Sequence, residues 1–303
     1  MKKMLFIVNP HAGKGYIKNS LLRIVDLYTA AGYFVTVYTT QCEKDATDCA
    51  RSFAADYDVV VCSGGDGTLD EVVAGVLACG KKVPIGYIPA GSTNDFAKSM
   101  SISSNKMKAA SLVLEGEPFY CDVGTFNFKP FIYVAAFGAF TEVSYSTPQN
   151  IKNSMGHMAY ILEGAKSLAN IKSFHIRMEC DGHKMEDDFI FGMITNSLSV
   201  GGMKSYEKSE VDFDDGLFEI MMIRMPRNPI ELQNIIGGLL LNDMSNEMFY
   251  CFKTSKVLFA SHTPIPWTLD GEFGGDVKEA YVENVEKAFA IYRKAKYQNT
   301  PIE

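Results

Sequence analysis

Val59-Val60-Val61-Cys62-Ser63-Gly64-Gly65-Asp66-Gly67-Thr68 is an apolar run that leads straight into three glycines placed around one aspartate. A short unbroken apolar run bounded by glycines fits a strand covered on both faces. A tight turn needs one glycine, sometimes two. Three around a carboxylate point to a large anion brought close to the backbone, with a charged group left beside it.

Working outward, 4–8, 33–39 and 84–88 read as further strands, and 17–32, 45–55, 69–79 and a segment opening near Asn94 read as helices. Strands alternating with helices predict a doubly wound α/β domain with a parallel sheet, its functional turns at the carboxyl ends of the strands. Beyond about residue 125 the texture changes. Strand-like runs follow one another at 128–138, 174–180, 188–196, 217–224, 248–260, 264–270, 281–285 and 288–293, interrupted by helical intervals near 151–171 and 228–241. This predicts an antiparallel β-sandwich or barrel-like second domain. The expected domains are 1–127 and 128–287, with the segment from about 288 to 303 packing back onto the first.

The chain has 303 residues, a hydrophobic fraction of 47% and a formal net charge of −7. That balance argues against nucleic-acid binding, which needs a basic surface. Seven scattered cysteines without a C-x-x-C pair fit a reducing compartment and no zinc site. The apolar stretch at 4–8 is too short for an export signal, and 131–140 and 235–241 are too short to span a bilayer. A cytoplasmic protein without a transmembrane segment is expected.

Three turns share a design: Asn9-Pro10-His11-Ala12-Gly13-Lys14-Gly15, Gly64-Gly65-Asp66-Gly67-Thr68 and Pro89-Ala90-Gly91-Ser92-Thr93-Asn94-Asp95. Each follows a predicted strand and opens a helix, whose first N–H groups carry partial positive charge. One such turn is ordinary turn chemistry, and Ser92, Thr93 and Asn94 are also good helix caps. Three at successive strand ends favour a polyphosphate site. The dinucleotide fingerprint fails because position 70 is Asp, and a P-loop fails because Lys14 is followed by Gly15. Asp66 and Asp95 lie inside two of the turns, and Asp122 ends the run 118–121. Carboxylates beside phosphates call for a cation between them, and magnesium fills that role in phosphoryl transfer. Asp270-Gly271-Glu272 adds two carboxylates around a glycine, either of which can accept a proton; a solvated surface turn is the plainer reading. In the first turn His11 reads as solvated, and Lys14 is the better phosphate partner of the two, with a plain exposed lysine as the default reading. The segment 151–172, with Lys152, His157, Lys166 and Lys172 among apolar residues, reads as a helix that packs on a sheet or lies on a membrane.

These four motifs, in this order over nearly the whole chain, resemble the bacterial soluble diacylglycerol kinases, whose catalytic domain is shared with sphingosine and ceramide kinases. The resemblance implies a nucleotide-binding α/β domain and a β-sandwich domain with the active site in the cleft between them. It implies ATP over Asn9, Pro10, His11, Ala12, Gly13, Thr40, Gly64, Gly65, Asp66, Gly67, Thr68, Glu71 and Ser92. It implies a catalytic magnesium held largely through water by Asp66, Asp95 and Asp122, with Asp270 or Glu272 as proton acceptor. A second, structural magnesium is implied at Asp212, Asp215 and Leu217. The acceptor it implies is a lipid hydroxyl at the inner membrane face, diacylglycerol first, phosphatidylglycerol or a sphingoid lipid next; a homodimer is compatible with the family. NAD kinase shares the Gly-Gly-Asp-Gly-Thr turn and is the rival enzyme, and a non-catalytic nucleotide-binding regulator is the rival of another class. Three departures from the family pattern are Ser92 for threonine, Asp70 for asparagine and Lys98 for arginine.

Overall fold

The computed structural model describes residues 1–13, 15–132, 134–138, 171–195, 199–200, 203–204, 214–241 and 243–294. Lys14, Asp212 and the segment 151–170 lie outside them. The chain divides into two compact units, Met1–Cys121 with the segment from Ala288 onward, and Asp122–Lys287.

In the first unit, β1 (Lys2–Val8), β2 (Tyr33–Thr39), β3 (Val59–Gly64) and β4 (Ile85–Pro89) pair in parallel in the order β2-β1-β3-β4. β3 is buried along its whole length, as its unbroken apolar run demands. β2, at the edge, alternates between half-buried and exposed positions. Helices α1 (Leu21–Ala30), α2 (Asp45–Phe53), α3 (Asp66–Ala78), α4 (Asp95–Ser99) and α5 (Lys106–Glu115) connect the strands. α1 packs with α5, where Tyr28 donates its hydroxyl to the Ala110 carbonyl at 3.2 Å, and α2 packs with α3. The helix expected from residue 17 begins as a 3-10 turn, Tyr16–Asn19, and becomes α-helical only at Leu21. Ile291, from the far end of the chain, pairs with Ile85 in parallel.

The second unit is antiparallel. Its strands are β5 (Glu117–Phe126, entering from the first unit), β6 (Lys129–Phe131), β7 (Val134–Gly138), β8 (Phe174–Cys180), β9 (His183–Thr195), β10 (Ser199–Val200), β11 (Met203–Lys204), β12 (Phe218–Arg224), β13 (Phe249–Thr254), β14 (Lys256–Leu269) and β15 (Glu272–Arg293, which passes into the first unit at Ala288), with α6 (Pro229–Leu241) between β12 and β13. Hydrogen bonding forms a closed circuit: β7 pairs β9, β9 pairs β8, β8 pairs β14 and β14 pairs β7. Two separate sandwich sheets are therefore not what forms. Within this circuit the long strands β9 and β14 meet their two partners along different parts of their length, and each has a third partner outside it, β12 for β9 and β15 for β14.

β14 runs through the gap 261–263 between the predicted runs 248–260 and 264–270, and it contains Pro264 and Pro266. The ladder tolerates them because its register shifts between Ala260 and Ile265, next to residues that lack an N–H. Trp267 anchors the core, with Phe126, Phe137 and Phe259 ring centroids 4.9, 4.8 and 5.4 Å away.

Candidate active site

The strand register brings the three glycine turns to one edge. Val8 is level with Thr39 and Ser63, and Gly64 is level with Pro89. Asn9, Thr40, Gly65 and Ala90 therefore leave the sheet side by side. Thr40 N–H donates to the Val8 carbonyl at 2.9 Å, Asn9 N–H to Ser63 at 2.8 Å, and Ala90 N–H to Gly64 at 2.7 Å. Asn9 Nδ2 donates to Thr68 Oγ1 at 3.0 Å, while its Oδ1 accepts from His11 N–H at 2.9 Å.

Glycine is required where the turns meet. A Cβ on Gly13 (φ +56°) would lie 2.5 Å from the Ala90 carbonyl oxygen, and one on Gly91 would lie 2.5 Å from Gly65 Cα. The first and second turns thus both close on the third, making one continuous backbone surface. The N-cap of α3 is Gly65, which has no side chain to cap the helix. A helix start of that kind suits an anion.

At the third turn the expectation of open N–H groups is corrected. The Asp66 carboxylate accepts Asp95 N–H at 3.0 Å and Phe96 N–H at 3.2 Å, closing the start of α4. Plain capping by the turn's own residues is also corrected. Asn94 stands at the N-cap in left-handed conformation (φ 51°) and makes no cap bond to the helix. It clamps Gly91 instead, accepting from its N–H at 2.9 Å and donating to its carbonyl at 2.8 Å.

Asp95 is buried and ion-paired with Lys98 at 3.0 Å. Burial, with a further contribution from the Asp95 charge, holds the Asp66 carboxyl above the ordinary carboxylate range against the pull of the two N–H groups and Lys98. Beneath the turns sits Tyr87, which sequence reading missed. Its hydroxyl donates to the Gly64 carbonyl at 3.3 Å with Asn94 Oδ1 at 3.4 Å; an aromatic inside an apolar strand gave no sign of this.

Other expected residues have structural partners. The Glu71 carboxylate accepts Lys44 N–H at 2.9 Å and Ala46 N–H at 3.1 Å, capping α2. Pro10, His11, Ala12 and Ser92 lie on the first and third turns, with Ala12 buried and His11 and Ser92 exposed. Asp122 does not end its strand: it lies within β5 and belongs to the second unit. It is buried, and its carboxylate accepts Gly216 N–H at 2.7 Å and Lys287 N–H at 2.8 Å. Burial raises its proton affinity, the two N–H groups oppose this, and the charges of Asp215 and Glu286 add to it.

Asp270 and Gly271, both at positive φ (51° and 90°), make the two-residue turn between β14 and β15, closed by the pair Leu269–Glu272. This is no turn of two solvated acids. The Asp270 carboxylate accepts Ile132 N–H at 2.6 Å and Val134 N–H at 2.9 Å, whereas Glu272 is exposed.

In the loop before β12, Asp215 Oδ1 accepts Leu217 N–H at 3.0 Å and Oδ2 lies 3.5 Å from Lys253 Nζ. Lys253 also reaches Glu219 Oε1 at 3.0 Å. Glu219 is buried inside β12, and that burial pushes its carboxyl up to about 7 although Lys253 pulls it down. Its only sequence signal is a lone acid in the apolar run 218–223. Among the described residues, no three His, Cys, Asp or Glu side chains converge to hold a metal ion directly, and no helix is long and apolar enough to cross a membrane.

The sequence profile of the diacylglycerol kinase catalytic domain matches residues 3–126. A diacylglycerol kinase of Bacillus subtilis (strain 168) is 30% identical over 301 residues, covering 98% of each chain. One from Staphylococcus saprophyticus is 31% identical, covering 99% of this chain and 98% of its own. The solved structure of a diacylglycerol kinase from Bacillus anthracis str. Sterne aligns with a TM-score of 0.74 at 21% identity over 97% of each chain. A second solved chain from that organism reaches 0.83 at 24% identity, covering 97% of this chain and 95% of that one, which is a likeness of fold. With near-complete coverage at this identity, the chain belongs to the diacylglycerol kinase family, a family of lipid kinases.

Proposed function

We propose that this chain is an ATP- and magnesium-dependent kinase that transfers the γ-phosphate to a lipid hydroxyl, converting diacylglycerol to phosphatidic acid. The observation that carries this reading is the joined backbone surface of the three turns, with an uncapped α3 start and Asp66 and Asp95 at its rim. Asn9 to Gly13, Thr40, Gly64 to Thr68 and Ser92 are the proposed nucleotide contacts. Glu71 supports them from behind by holding the 44–46 backbone.

Asp66 and Asp95 are two acids close enough for one charge to raise the other's proton affinity, with Lys98 as the nearby cation. They fit a magnesium ion held mostly through water, with Asp122 as the third acid. Such an ion supplies positive charge between carboxylates and phosphates. Glu272 is the proposed proton acceptor, because the Asp270 oxygens already hold two main-chain N–H groups. The turns orient the phosphates through N–H groups that need no rearrangement during transfer. A structural magnesium is proposed at Asp212, Asp215 and the Leu217 carbonyl, where it would compete with the Lys253 ammonium for Asp215. The enzyme is proposed to work in the cytoplasm, touching the inner face of the membrane transiently, and to be able to dimerise.

The test is transfer of labelled γ-phosphate from ATP and magnesium to a lipid panel in mixed micelles, with NAD beside it. Label on diacylglycerol that is lost in Asp66→Ala and Glu272→Gln is the expected result. Label on phosphatidylglycerol or a sphingoid lipid changes the acceptor and keeps the chemistry. Label on NAD alone overturns the lipid reading, and no transfer despite ATP binding leaves a regulator.

A further inference from the structure

The β8–β9 hairpin carries chemistry that the kinase reading leaves unused. Its turn is Asp181-Gly182, both at positive φ (50° and 78°), and its closing pairs are Cys180–His183 and Met178–Met185. Directly opposed residues of an antiparallel ladder point to the same face, with Cβ atoms about 4.5–5.5 Å apart. Met178, Cys180, His183 and Met185 therefore share one face. Glu179 and Lys184, ion-paired at 3.3 Å, occupy the other.

All four line a single cavity of about 360 Å³ in the second unit, shared with Asp181, Phe252 and Lys253. The polar neighbours on that wall are engaged elsewhere. The Asp181 carboxylate takes the Thr254 hydroxyl at 2.8 Å, and the Lys253 ammonium stands 3.0 Å from Glu219.

We infer that Met178, Cys180, His183 and Met185 form a binding site for a soft monovalent cation, cuprous copper. Thiolate, thioether and imidazole are the donors that select Cu(I), whereas magnesium and calcium take oxygen. Two of the four donors are thioethers, which zinc sites do not use. On binding, the Cys180 S–H bond breaks, an S–Cu bond forms and the proton passes to solvent, with no change of oxidation state. The plainer alternative is that the face only lines the core, which Met178 joins at 2% exposure. This inference does not rest on the kinase reading.

The experiment titrates the full reduced chain with Cu(I) under anaerobic conditions, in competition with bicinchoninate, while methyl-labelled methionines are followed by NMR. One equivalent should bind and shift the Met178 and Met185 methyl signals selectively among the 15 methionines. Cys180→Ser should abolish that equivalent. Met185→Leu, a volume-conserving change that keeps the fold, should weaken it by about tenfold or more. No tight equivalent, binding that survives both substitutions, or binding that leaves both methyl signals in place would overturn the site. The last two outcomes would assign the metal to the exposed Cys42 or Cys251.

Discussion

Asp270 and Val134 exchange two hydrogen bonds: Val134 N–H donates to Asp270 Oδ1 at 2.9 Å, and Asp270 N–H donates to the Val134 carbonyl at 2.8 Å. With Ile132 N–H on Oδ2 at 2.6 Å, the side chain holds the link between β6 and β7. Asp270→Asn replaces one acceptor oxygen with an NH₂ group and leaves one buried N–H unpaired. A loss of roughly 1–3 kcal/mol in urea unfolding is expected. Glu272→Gln should leave stability within about 0.5 kcal/mol and lower turnover by roughly 10²–10⁴. Full turnover in Glu272→Gln, with loss in a folded Asp270→Asn, would reverse the proposed roles.

Gly91→Ala drives a methyl group to 2.5 Å from Gly65 Cα, so the second and third turns must part. The expected cost is about 1–3 kcal/mol, together with weaker ATP binding by calorimetry. An unchanged ATP affinity would show that the joined backbone surface is not the nucleotide site.

Asp66→Ala removes the cap on α4 and should cost about 0.5–2 kcal/mol. Asp66→Asn keeps one acceptor oxygen and should fall between the variant and the parent. Thermal melts of all three, without nucleotide or metal, separate this structural role from the proposed magnesium role.

Glu219 makes stability depend on pH. Its folded value of about 7 lies above its ordinary value of 4.5, so between those limits the folded state holds a proton that the unfolded state has released. Stability should therefore fall as pH rises from about 4.5 to about 7 and level off above that. Glu219→Gln, which cannot ionise, should flatten this decline in melts recorded across the window. A parallel decline in that variant would assign the effect to other groups.

Phe128 is 93% exposed at φ 69°, in the two-residue turn between β5 and β6. A left-handed aromatic residue is strained, and glycine is not. Phe128→Gly should stabilise the chain by about 0.5–1 kcal/mol in urea unfolding. Destabilisation would mean that the ring makes a contact worth more than the strain.

Much of the first unit was legible because its signals are local. The buried run 59–62 announced β3, and glycines marked the turns at the strand ends. The second unit was less legible. The polar gap Ser261-His262-Thr263 left one strand as two runs, 248–260 and 264–270, and Asp122 looked like a strand end because a charge followed four apolar or aromatic positions. Both are tertiary effects: a shifted register carries the strand through the gap, and two N–H donors satisfy the buried carboxylate.

The sequence by itself determined the alternation of strands and helices, the family motifs and the set of acids, because periodicity, glycine and capping chemistry act over a few residues. Only the tertiary structure decided what those acids do. Asp66 reaches the start of α4 across 29 and 30 positions, and Asp270 reaches Ile132 and Val134 across 138 and 136. A carboxylate's partner is set by which backbone N–H comes within hydrogen-bond reach after folding, and no local pattern encodes a contact over such separations.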